Sequence, residues 1–285
     1  MTGPANLLFD THTHVVAEDQ KRYPRKVAAR PDWVRWLQDM PTSAEGLVQL
    51  MDASGVHRAA LVQPYAVYQY DNSYIADSAS RYPDRLVAVG IVDMDAPDAA
   101  ARLAYWVRER GIRGVRLFTI MEPEAAWLDD PKTFPVWERA VELGIPLCVQ
   151  IPFRQIPRLR RMVERFPQAS VVLEGLAMGR LDEGPPYAGL RSLFDLARFP
   201  NLSLKFMTPN LYAARAGKGD ARDLFRRLVD GFGAGRLMWG TNFPNTYDRP
   251  YPALVEYAHE CLGFLSEGEQ RQVFGENAQG LWPRP

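Results

Sequence analysis

Of the four histidines in this 285-residue chain, two stand one residue apart at the end of Leu7-Leu8-Phe9-Asp10-Thr11-His12-Thr13-His14. Three apolar residues running into a polar cluster read as a short buried strand. Side chains alternate between the faces of a strand, so His12 and His14 point the same way, about 7 Å apart along the chain. Two imidazoles so placed can serve one metal ion or one substrate. A bare His-x-His is a short pattern that packing also produces, but half of the chain's histidines gather here. His57 and His259 fall at a strand start and on a helix and read as structural.

The elements that must position this pair follow along the chain. Apolar runs recur at 59–63, 86–92, 112–117, 145–150, 170–174, 202–206 and 236–240. Helical patterns separate them at 42–55, 73–80, 98–110, 131–143, 157–166, 187–199 and 220–232, and two more, 254–262 and 267–281, end the chain. Near-continuous apolar strands alternating with helices mark a parallel sheet buried on both faces. Eight such units close an α/β barrel, a (β/α)8 TIM barrel. No linker or composition shift divides the chain, so 1–285 reads as one domain. An open doubly wound sheet would want a glycine-rich turn after the first strand, and none is present.

Barrel enzymes build their sites at the strand C-terminal ends. That rule selects His12, His14, Gln63, Asp93, Arg116, Gln150, Glu174, Lys205 and Asn242, with Tyr65, Tyr70, Asn72, Phe118, Trp127, Asn210 and Asn245 on the loops that follow. Arg116 offers a planar fork suited to a carboxylate, and Lys205 a compact positive charge. The set suits a small anionic molecule. A long loop at 15–41, carrying Tyr23, Trp33 and Trp36, reads as a lid or pocket wall.

Composition excludes several classes. Thirty-four basic residues balance 34 acidic ones, which argues against a nucleic-acid or polybasic membrane partner. Cys148 and Cys261 are too few for a disulfide framework. The first residues lack a signal-peptide pattern, and no run is long enough to span a bilayer. These features point to the cytoplasm, with a homodimer compatible.

An N-terminal strand ending in Asp-x-His-x-His resembles the first strand of the amidohydrolase superfamily. Gly114-Val115-Arg116-Leu117, Leu202-Ser203-Leu204-Lys205 and Leu237-Met238-Trp239-Gly240-Thr241-Asn242-Phe243-Pro244 are similar to segments of its amidohydrolase-related group, which contains dicarboxylate and sugar lactonases, sulfomuconolactone hydrolases and related decarboxylases. The segment 19–24 also resembles lactonase-like members. The departures are specific. Asn242 stands where hydrolytic members usually carry an Asp, and an amide lacks useful basicity. Gly175 stands where relatives often have a histidine, and Gln150 where metal-dependent members commonly place a ligand. The expectation is therefore no cofactor, with zinc or another divalent metal at His12 and His14, helped by Glu174, as the alternative.

The resemblance implies a lactonase-like hydrolase opening a small carboxylate-bearing lactone without a metal. Arg116 or Lys205 would anchor the substrate, His12 and His14 would stabilise the oxyanion, and Glu174 or a histidine would activate water. The alternatives are an isomerase, decarboxylase or other lyase on a small anionic cyclic substrate, and a non-catalytic ligand-binding paralogue.

Overall fold

The computed structural model describes residues 7–27, 34–120 and 124–284. Trp33, one of the aromatic residues of the 15–41 loop, lies outside them. Eight parallel strands follow one another in chain order around a barrel: β1 (Leu8–Thr13), β2 (Val56–Val62), β3 (Leu86–Ile91), β4 (Gly114–Phe118), β5 (Leu147–Gln150), β6 (Val171–Glu174), β7 (Leu202–Met207) and β8 (Leu237–Gly240). The ring closes between its ends: the His14 amide donates to the Phe243 carbonyl (2.8 Å) and the Asn242 amide to the His12 carbonyl (2.8 Å).

The strands are apolar on both faces because each face has its own core. Val115, Leu117, Leu173 and Leu204 pack outward against the helices, in one large cluster. Phe9, Ala60, Val62, Val89, Cys148, Val172 and Met238 fill the barrel interior in another. The interior parity continues upward along β4, β6 and β7 into Arg116, Glu174 and Lys205, all buried. Polar residues thus replace the uppermost apolar layer of the barrel interior.

The loop after β1 is anchored. It holds a short helix, Trp36–Asp39, and Val16, Val34 and Trp36 pack on Val67 and Tyr68. The Tyr68 hydroxyl accepts from the Ala17 amide at 2.8 Å. The helical pattern at 42–55 forms as Ala44–Ala53, with the Ser43 side chain accepting from the Gly46 amide as an N-cap.

Three expectations about helices change. The 187–199 pattern is not one α-helix but the short turns Ala188–Leu190, Arg191–Phe194 and Asp195–Arg198. Its buried Leu190, Leu193 and Leu196 recur every three residues, the period of a 3₁₀ helix. A helix absent from the sequence reading, Thr208–Arg215, follows β7. Its Pro209 is a helix-starting residue, since the first helical amides need no partner within the helix. The last segment, 267–281, carries a π-helical turn, Gln272–Glu276, between Glu267–Arg271 and Asn277–Leu281.

Candidate active site at the barrel mouth

Asp10 sets the shape of the site from beneath. Its carboxylate accepts from the His12 amide (3.1 Å), the Thr241 amide (2.9 Å), the Thr241 hydroxyl (2.5 Å) and the Tyr251 hydroxyl (3.1 Å). These bonds tie the end of β1 to the turn after β8. Burial outweighs them and pushes the Asp10 pKa up to about 6. The two strands approach closely enough that a Cβ on Gly240 would come within 2.8 Å of the His12 Cβ and amide nitrogen. Asp10 belongs to the Asp-x-His-x-His motif but was not among the candidates chosen by strand ends. Its place in that motif was the available signal.

The His12 and His14 rings meet edge to face, with centroids 5.0 Å apart. Beside them is a buried charge cluster. Glu174 receives Lys205 Nζ at 2.5 Å on Oε1 and Arg116 Nε at 2.9 Å on Oε2, and His12 Nδ1 lies 3.5 Å from Oε1. Lys205 also donates to the Thr11 carbonyl (3.1 Å), and Arg116 donates through its far nitrogen to Gln150 Oε1. Burial alone would raise the Glu174 pKa, but Lys205, then Arg116 and His12, hold it well below the usual carboxylate range. Burial and then the Lys205 charge lower His12 to about 4, against the opposing pull of Glu174. Burial, followed by His12 and Arg116, keeps His14 well below its ordinary value. At neutral pH both imidazoles are uncharged, and the ion cluster carries one net positive charge.

Above this layer opens a cavity of about 540 Å³. Of the expected residues, His14, Tyr65, Arg116, Phe118, Gln150, Asn210, Asn242 and Asn245 line it. His12, Glu174 and Lys205 are buried below and do not. This changes the expected part for Glu174. A carboxylate so strongly stabilised as the anion is a poor proton acceptor, and Glu174 is better placed as counter-ion to Lys205 and Arg116. The same bonds occupy the two cations, so neither is a free substrate anchor.

Other candidates serve the scaffold. Gln63 donates its amide to the Gln69 (3.2 Å) and Asp71 (2.7 Å) carbonyls. Asn72 donates to the Ile91 carbonyl and accepts from the Ile91 amide, latching the loop after β2 onto β3. Asn210 accepts from the Met207 amide (2.9 Å) and donates to the Gly175 carbonyl (3.1 Å), joining the loops after β6 and β7. Tyr70, Asp93 and Trp127 border a separate small recess. Phe206 packs outward on Phe225, and Phe243 on Tyr251. The strand-end rule missed Trp36, Ile120, Met178 and Met207, which complete the cavity wall. Trp36 stood in the aromatic loop and Met207 ends β7, so both left a trace in the sequence. Met178 left none: Gly175, Leu176, Ala177 and Met178 all have φ between 50° and 58°, a left-handed turn that presents its side chain at the mouth.

A metal ion does not fit these residues. Among the described residues no three His, Cys, Asp or Glu side chains converge as ligands, and the Glu174 oxygen nearest His12 is taken by the Lys205 ammonium. A zinc site wants about three protein ligands and an open position.

Residues 9–284 match the Amidohydro_2 (amidohydrolase) family model. The chain belongs to the amidohydrolase family. It is an enzyme of the hydrolase type. It is 28% identical over 242 residues to the L-fucono-1,5-lactonase of Burkholderia ambifaria, with 82% of each chain covered. Its fold superposes on a Pseudomonas putida protein assigned as a 2-pyrone-4,6-dicarboxylic acid hydrolase, with a TM-score of 0.78, 23% identity and 98% of each chain covered. An amidohydrolase from Burkholderia multivorans solved with bound zinc aligns with a TM-score of 0.75 and 22% identity, over 98% of this chain and 100% of that one. At these identities the solved structures speak to the fold. Among the described residues no helix is long and apolar enough to cross a membrane.

Proposed function

We propose that this amidohydrolase hydrolyses a small lactone without a metal ion, with His14 as general base. The observation that carries the reading is the bond from His14 Nδ1 to the Val62 carbonyl, 2.7 Å long. A carbonyl oxygen only accepts, so the proton sits on Nδ1 and the lone pair on Nε2. The ring lines the cavity and stays neutral, which leaves Nε2 able to take a proton from water. Lactonase relatives make a cyclic ester the substrate of choice, and the cationic floor suits the negative charge that forms on the carbonyl oxygen.

In this mechanism water adds to the lactone carbonyl as its proton passes to His14 Nε2. The Gln150 amide NH₂, whose own oxygen is engaged by Arg116, donates to the oxyanion, and the charge of Arg116 in the cavity wall stabilises it through space. Asn242 donates to the Thr246 hydroxyl at 3.0 Å, which leaves its carbonyl oxygen to accept from the attacking water. Collapse of the tetrahedral intermediate breaks the ring C–O bond, and the imidazolium returns its proton to the leaving alkoxide. The product is a hydroxy acid, which ionises and releases one proton near neutral pH. One net positive charge under the floor also tolerates one substrate carboxylate.

Proton release from a lactone panel in a pH-stat tests this. His14→Ala lowers kcat by roughly 10²- to 10⁴-fold, the usual share of a general base. Unchanged turnover in that variant contradicts the assignment.

A further inference from the structure

We propose that the substrate of this site is an apolar cyclic ester, bearing an aryl or alkyl group and at most one carboxylate, and not a polyhydroxylated sugar lactone or a dicarboxylate. The inference rests on the lactonase reading and specifies its substrate class. Trp36, Tyr65, Phe118, Ile120, Met178 and Met207 supply the large aromatic and aliphatic side chains of the cavity wall. Tyr65 and Phe118 lie side by side, with centroids 5.8 Å apart, and Trp36 stacks on His14 at 6.3 Å. Such faces take up a flat or alkyl-substituted ring. Met178 is 56% exposed at the rim, and a thioether there adapts to varied ring substituents.

Three amides of the wall are already engaged, at least in part, while the Asn245 amide and the Tyr65 hydroxyl face the cavity as further polar groups. Asn210 uses both ends of its amide on backbone, Gln150 gives its oxygen to Arg116, and Asn242 gives its NH₂ to Thr246. What remains serves one ester group, the water that attacks it and, through Asn245 and the Tyr65 hydroxyl, one or two further polar substituents. A sugar lactone carries more hydroxyls than these groups can serve, and each one left against the aromatic wall without a partner costs roughly tenfold or more in binding. Charge gives the same answer. Arg116 is the one cation among the described residues of the wall, and it is held by Glu174 and Gln150. A second carboxylate meets no further positive side chain there.

The test compares kcat/KM for dihydrocoumarin, δ-decalactone, L-fucono-1,5-lactone and 2-pyrone-4,6-dicarboxylate, with calorimetric titration of coumarin and galactitol alongside. The expected result is a preference of roughly 100-fold for the first two lactones over the others, and a several-fold rise in KM for dihydrocoumarin in Met178→Ser, a substitution at an exposed rim residue. Highest kcat/KM for the sugar lactone or the dicarboxylate overturns the proposal. Absence of turnover with every lactone overturns the lactonase reading instead. In that event binding of coumarin without galactitol retains the apolar-ring site, and binding of galactitol without coumarin removes it.

Discussion

His14 has its proton fixed on one nitrogen by a backbone carbonyl, and its neutrality maintained by burial and by two neighbouring groups that disfavour a second proton. The cost is basicity, since a lower pKa makes a weaker base. The gain, for the base of the proposed mechanism, is that it stays unprotonated in mildly acidic solution. The kcat/KM profile should accordingly show no fall centred at the ~6.5 of a free imidazole, because the folded protein holds His14 well below that value. An acid limb centred near pH 6.5 would show a solvent-exposed base. Glu174 gives a second prediction. Removing its charge in Glu174→Gln leaves Lys205 and Arg116 buried without their anion, a loss of about 3–5 kcal/mol in urea unfolding. Lys205→Met in the same background should recover part of that loss, and strict additivity of the two would contradict the pairing. That His14 and Arg116 reach the barrel mouth was legible because strand ends in a barrel face it. The depth of Glu174 and Lys205 was not, because their mutual contact depends on the β6–β7 register, which pairs Glu174 with Lys205.

At the scale of elements, the turn after β6 separates local pattern from tertiary structure. Gly175 opens the left-handed run through Met178, and a Cβ on it would lie 3.1 Å from Met207 Cε. Gly175→Ala should therefore cost about 1 kcal/mol in the urea midpoint with an unchanged slope, because φ is positive there. It should also raise KM, since Met207 must yield into the cavity. A neutral effect on both would mean that the turn does not shape the site. The eight strands could be read because their apolar runs are continuous on both faces. The Thr208–Arg215 helix could not, since Pro209 reads equally as a loop breaker and as a helix start. Asn210 followed the same ambiguity: expected to contact substrate, it is spent largely on joining two loops.

For the whole molecule, the two cores follow from the barrel, with one cluster between strands and helices and another inside the ring. The departures Asn242, Gly175 and Gln150 are coherent within that frame. Positions where relatives often bring metal ligands or an acidic base instead bring two amides and the glycine that opens a left-handed turn. In the proposed mechanism this arrangement keeps a positive floor for a developing oxyanion and leaves proton transfer to a neutral imidazole. Fold alone would not have said so, because one barrel hosts many chemistries. The most direct measurement is proton release from a hydrolysed lactone by protein treated with a chelator, its zinc and manganese per chain counted by elemental mass spectrometry. The account predicts undiminished turnover at well below one metal ion per chain. Turnover lost on chelation and restored by stoichiometric zinc would contradict it.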